Sequence, residues 1–218
     1  MVKRTQVAFA PLASAEGPEF EALYGIYTRA LPPSERKSKQ ELAAMAAKPE
    51  YSFLVATRNG AVVGFSAVFT PRENDFRLLE YMAIHRDHRG EGLGEELFRR
   101  SLASAGSDAR ISPVLLEVDS DQEASADAAD RTRRLQFYKR LGCLRIKDLA
   151  YQLPLVSATA PPMMRLLIYR PKDSITISKD RLERWIKTIY SEVYGCSPDD
   201  PRIAAMLRPL GDPVELAV

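Results

Sequence analysis

The segment RGEGLG, residues 89–94, is the part of this sequence best equipped for chemistry. A strand-like run, LLEYMAI, leads into it and a helix-like run, GEELFRRSLA, leaves it. Three glycines at such a turn leave backbone N–H groups unobstructed. At a helix N-terminus those groups converge on an anion, and Arg89 adds charge, so the spacing describes a phosphate or pyrophosphate cradle. It lacks the Gly-Lys-Ser/Thr of a nucleotide P-loop, and its glycines alternate as G-x-G-x-G where a dinucleotide fold needs G-x-G-x-x-G. Two carboxylates also stand out, Glu80 in LLEYMAI and Glu117 in VLLEVD, each inside an otherwise apolar strand pattern. A charge in that setting needs a compensating partner or a function.

Around these residues the chain is ordinary in bulk. Its 218 residues are 45% hydrophobic and 28% charged, which suits one core with a terminal appendage. A formal net charge of +2 is too small to build the basic surface of a nucleic-acid binder. Cys143 and Cys196 lie far apart with no CxxC and only two histidines, so neither a disulfide framework nor a metal site has support. The apolar run near the N-terminus is broken, and no stretch reaches the ~20 apolar residues of a membrane span. The simplest expectation is a reduced, cytoplasmic protein.

The elements that must position these residues follow from periodicity. A strand is expected from Thr5. A helix follows, with Phe20, Leu23, Ile26, Tyr27 and Leu31 on one face, then a break at Pro32-Pro33 and a second helix opened by the capping box of Ser38 and Glu41. YSFLVATR and AVVGFSAVFT form a hairpin around Asn59-Gly60. A strand from Phe76, the glycine turn, a helix, and the strand PVLLEVDS come next. The acidic stretch 119–130 reads as a mobile loop before the helix RTRRLQFYKRLG, and VSATAPP as a loop between two further strands. A long amphipathic helix carries Trp185, with Ile189, Tyr190 and Tyr194 on the same face, and the tail has room for one more short helix. That helix has three uses open to it: covering a substrate site, forming a homodimer contact, or extending the core. The fold class is a mixed α/β sandwich, with helices on both sides of a mostly antiparallel sheet.

RGEGLG also matches the pattern [QR]-x-x-G-x-[GA] of the acetyl-CoA loop in GNAT acyltransferases. FYKRLGCLRI resembles the Y-x-x-x-G-[FC] segment that closes those domains, and the order of elements is similar to theirs. The resemblance covers roughly residues 5–171 and leaves 172–218 as a helical extension. It implies acetyl-CoA, or another short acyl-CoA, as co-substrate without a metal, and a primary amine on a small molecule or peptide as acceptor. Arg89, Gly90, Glu91, Gly92, Leu93 and Gly94 would then hold the pyrophosphate. The backbone of Met82, Ala83 and Ile84 would run beside the pantetheine arm and supply an oxyanion N–H.

Acyl transfer needs an unprotonated amine and benefits from a proton donor to the leaving sulfur. The resemblance puts Glu80 forward as base, on a strand face shared with Met82 and Ile84. Glu117 is the rival base, either carboxylate could instead bind the acceptor's ammonium, and deprotonation through water is a third route. Tyr138 matches the tyrosine that serves as acid in many relatives. The acceptor side would include the loop carrying Glu35, Arg36 and Lys37, while His85 and His88 read as surface residues. A non-catalytic CoA-binding sensor or partner-docking module is the alternative, and the acceptor's identity is not encoded in the cofactor motif.

Overall fold

The structure is a computed structural model, which describes residues 6–73, 75–103, 112–121, 128–154, 164–169 and 176–217. Most of the expected acidic loop, at 122–127, and the expected loop 156–162 lie outside the described residues. The chain is mixed α/β and divides into two compact units, residues 1–72 with 78–110, and residues 73–77 with 111–218.

The first unit is an antiparallel meander of β1 (Ala8–Pro11), β2 (Tyr51–Arg58), β3 (Ala61–Phe69) and β4 (Arg77–Ile84). β2 turns into β3 through Asn59 and Gly60 at φ 52° and 78°, the left-handed pair that a type I′ hairpin requires. Helices α1 (Pro18–Ala30) and α2 (Lys39–Ala46) cover one face of the meander. There Phe20, Leu23 and Tyr27 of α1 and Leu42 of α2 pack on Phe53, Val55, Phe65, Ala67 and Ala83. Ser38 starts α2 with the expected reciprocal bonds: its hydroxyl accepts from the Glu41 amide and its amide donates to the Glu41 carboxylate. Helix α3 (Leu93–Ala103) covers the opposite face, with Leu93 against Ala56 and Val63 and with Ser66 and Ser101 hydrogen-bonded at 2.6 Å.

One irregularity in this meander decides where a key side chain points. Along β3 and β4, Ala67 faces Tyr81 but Val68 faces Leu79, so Glu80 is an extra residue in a β-bulge. A bulge breaks the two-residue alternation of a strand and re-aims the side chain it carries. Glu80 therefore does not share a face with Met82 and Ile84, contrary to the alternation expected from the sequence. It turns toward Lys37 in the α1–α2 loop and Tyr51 on β2.

The second unit orders its strands β5 (Val114–Asp119), β7 (Met164–Tyr169), β6 (Leu144–Ile146), β9 (Val214–Ala217) and β8 (Thr176–Ile177), each antiparallel to its neighbour. Helix α4 (Ala128–Arg140) carries Tyr138. Helix α5 (Lys179–Thr188) and helix α6 (Pro201–Leu207) occupy the C-terminal part. The long helix expected around Trp185 changes character: it passes from α-helix into a π-turn at Ile189–Val193. Trp185, Ile189 and Tyr190 are fully buried, so this face extends the core. Trp185 lies 5.8 Å from the Phe76 ring and donates its indole N–H to Asp75 at 2.8 Å. The tail also supplies a strand, β9, where the sequence suggested only helix; Val214 and Leu216 turn inward while Glu215 stays out.

Candidate active site

In the first unit the bulged Glu80 carboxylate is almost wholly removed from water, its side chain 2% exposed. Tyr51 donates its phenolic hydrogen to Oε2 at 2.8 Å. The other oxygen, Oε1, accepts no hydrogen bond from the described residues and faces the Lys37 ammonium at 3.6 Å, beyond hydrogen-bond length. Burial pushes the Glu80 carboxyl above its ordinary value, while Lys37 and Tyr51 pull it back. The result is a carboxylate readier to take up a proton than a surface glutamate, with one oxygen turned toward a cation.

The surroundings hold Lys37 there. Its backbone amide donates to the Tyr27 hydroxyl at 2.7 Å. On its N-terminal side Arg36 Nε donates to the Leu31 carbonyl at 2.7 Å, and on its C-terminal side the Ser38 capping box begins α2. Tyr27 packs edge-on against Tyr81 with ring centroids 5.1 Å apart, and burial raises the pKa of both phenols. Of the three loop residues expected on the acceptor side, Lys37 therefore reaches the Glu80 carboxylate, whereas Arg36 is used within its own loop.

The glycine turn follows β4 after a single 3-10 turn at Arg86–His88. Gly90 and Gly92 adopt φ 81° and 83°, a conformation in which residues with a Cβ are strained. Among the described residues, a Cβ at either position would meet nothing within 4 Å, so neither glycine is required by crowding. Helix α3 starts at Leu93, and its first internal bond runs from Glu96 N–H to Gly92 C=O at 3.3 Å. Amides 93–95 consequently have no acceptor within the helix. Arg89 leans back, its Nε donating to the Ile84 carbonyl at 3.3 Å.

Acidic side chains at such a cradle would repel a phosphate, and each one here is paired. Glu95 is held by Arg99 at 2.9 Å and Glu96 by Arg100 at 2.6 Å. Glu91, inside the loop itself, is held by Arg58 at the end of β2 at 2.7 Å. Arg58 also meets His88 Nδ1 at 3.2 Å, and Arg29 meets His85 Nε2 at 3.2 Å. Both imidazoles are thus partly exposed partners of arginines.

In the second unit Tyr138 is buried on α4, and Cys143 N–H donates to its carbonyl at 3.0 Å. Burial raises the phenol's pKa; Cys143 adds to the rise and Arg134 opposes it. Burial also raises the Cys143 thiol, to about 12. Glu117 on β5 is engaged at both oxygens: Tyr151 donates to Oε1, and Tyr194 donates to Oε2 at 2.5 Å. The Tyr151 phenol is held well above its usual pKa, by burial first and then by the neighbouring carboxylate. Tyr51 and Arg58 were not singled out in sequence. Neither sits in a motif, since an aromatic and an arginine at the two ends of a strand are ordinary. Among the described residues no three His, Cys, Asp or Glu side chains group as a metal site, and no helix is long and apolar enough to cross a membrane.

The model of the acetyltransferase (GNAT) family matches residues 20–143. YjbC of Bacillus subtilis (strain 168) is 26% identical over 121 residues, 56% of this chain and 57% of YjbC, so the match spans little more than half of that curated relative. A GNAT-family structure from Bacteroides thetaiotaomicron is similar at TM-score 0.69 over 87% of this chain and 99% of that one, with 18% identity. A GNAT-family acetyltransferase from Elizabethkingia anophelis, solved with acetyl-CoA bound, is similar at TM-score 0.51 over 75% of this chain and 97% of that one, with 14% identity. At such identities the two solved structures speak to fold.

Proposed function

Because the chain belongs to the GNAT acetyltransferase family, we propose that it transfers an acetyl or other short acyl group from CoA to a primary amine by direct attack. The observation that carries this reading is the pairing of features on one strand. β4 bulges to aim a buried carboxylate at a cation, it ends four residues later at Ile84, and the glycine turn at Gly90 and Gly92 follows after one short 3-10 turn. The amides of residues 89–94 receive the pyrophosphate, with Arg89 adding charge. The backbone of Met82, Ala83 and Ile84 lies along the pantetheine arm.

Glu80 takes the proton from the acceptor's ammonium, because nitrogen has no lone pair to attack with until that proton leaves. Its raised pKa brings it nearer to neutrality than an exposed glutamate. Glu117 is the weaker candidate, since two phenols already donate to its oxygens. Tyr138 donates to the leaving sulfur. A phenol whose pKa is raised by burial stays protonated at neutral pH and keeps a hydrogen to give. The acceptor enters as a cation that the Glu80 carboxylate can recognise, on a small molecule or a peptide.

Isothermal titration with CoA tests the donor half. Binding by the wild-type chain at micromolar concentration, abolished in Gly92→Trp, supports the assignment. Absent binding, or unchanged binding after the substitution, overturns it.

A further inference from the structure

We propose that Lys37 is an acyl acceptor within the chain itself, so that the protein loaded with acetyl-CoA and given no external amine acetylates its own Lys37. The proposal rests on the assignment of Glu80 as base. Its own support is the placement of one primary amine. Lys37 Nζ stands 3.6 Å from Glu80 Oε1, the one oxygen of that buried carboxylate without a hydrogen-bond donor. The backbone is fixed for the purpose, with the Lys37 amide bonded to Tyr27 and its neighbours tied by Arg36 and the Ser38 capping box. A side chain 24% exposed keeps contact with solvent. Glu80 lies two residues, about 7 Å of strand, from Met82, where the acyl arm is assigned.

Lys37 thus stands where an external alkylammonium would have to stand, and it shows the class of acceptor the position takes: a primary ammonium on an unbranched methylene chain. The chemistry balances as ordinary aminolysis. The Lys37 ammonium gives one proton to the Glu80 carboxylate, and the freed lone pair bonds to the thioester carbonyl carbon. The nitrogen, cationic once bonded, sheds a second proton as the C–S bond breaks, and sulfur keeps the electron pair and takes up that proton. Each amide formed leaves one CoA thiol and releases one net proton to solvent. The product amide is neutral and no longer pairs with Glu80.

The test is peptide mass spectrometry of the full chain incubated with acetyl-CoA and no added amine. One acetyl group is expected on Lys37, at a rate independent of protein concentration. Lys39 serves as internal control, because its side chain is twice as exposed, 47% against 24%, and unassisted acetylation favours it. Glu80→Gln is expected to slow labelling of Lys37 by roughly a hundredfold, the low end of what a general base contributes, while leaving Lys39 unchanged. Labelling of Lys39 equal to that of Lys37, or Lys37 labelling indifferent to Glu80→Gln, overturns the proposal. Acetylation of an added alkylamine by a chain whose Lys37 stays unmodified also overturns it, while leaving the proposed function intact. Failure to bind acetyl-CoA overturns both.

Discussion

Tyr51 donates its phenolic hydrogen to Glu80 Oε2 at 2.8 Å, so the first residue of β2 tunes the charge of the residue bulged out of β4. That bond favours the ionised carboxylate and opposes the rise that burial imposes. A base must be deprotonated to act, so the rate climbs as pH passes upward through the pKa of Glu80. Tyr51→Phe removes the donor and raises that pKa further. The acidic limb of the kcat/KM profile is expected to move to higher pH, with little change on the alkaline side. A limb that stays in place, or moves to lower pH, contradicts the role given to Glu80.

Arg58 is ion-paired with Glu91 at 2.7 Å, and under the proposed function that pair would offset the repulsion between Glu91 and a bound phosphate. Arg58→Ala is expected to weaken CoA binding about tenfold, ~1.4 kcal/mol, by removing the guanidinium that offsets the Glu91 charge inside the glycine loop. Glu91→Gln in the Arg58→Ala background is expected to recover most of that loss. Calorimetry on the four proteins of this double-mutant cycle checks it, and additive losses would show that Arg58 acts in some other way.

Local features were legible in the sequence, and features set by tertiary structure were not. The Asn59-Gly60 hairpin, the Ser38–Glu41 capping box and the glycine turn depend on a few adjacent residues whose φ values or side-chain bonds are intrinsic to their types. The bulge at Glu80 left no such mark, because strict alternation along LLEYMAI fits the sequence equally well; the shift shows only in the pairing with β3. The π-turn at Ile189–Val193 was hidden for a similar reason, its residues reading as one continuous helical face. β9 was missed because its four residues count as a strand only once β6 and β8 flank them. The partners that give Glu80 its character, Lys37 and Tyr51, lie 43 and 29 residues away, and nothing in their neighbourhoods points to a carboxylate.

Glu117 is held by two phenols, which makes it a structural tie between β5, Tyr151 and Tyr194. In Glu117→Gln one phenol loses its acceptor, and thermal or urea unfolding is expected to show a loss of about 1–3 kcal/mol. The pH dependence of rate should keep its shape. A displaced acidic limb in this variant would instead make Glu117 the base.

Tyr138 should matter to turnover more than to affinity. Tyr138→Phe keeps the ring and its packing but removes the hydrogen offered to the departing sulfur. A fall in kcat of roughly tenfold to a hundredfold is expected, with the Kd for CoA within about twofold of wild type. Equal losses in both, measured by steady-state rates and calorimetry, would show that the hydroxyl serves CoA binding and not the departing sulfur.

The most direct measurement is amine-dependent release of CoA thiol, followed for the wild-type chain and Glu80→Gln across a panel of primary alkylamines with acetyl-CoA in excess. The wild type should release thiol in proportion to the acetylated amine recovered. Glu80→Gln should bind CoA as tightly yet turn over about a hundredfold more slowly near neutral pH, with the gap narrowing as rising pH deprotonates the free amine. Tight CoA binding with no amine-dependent release from any panel member, or a Glu80→Gln rate equal to wild type, would contradict transfer by a Glu80 base.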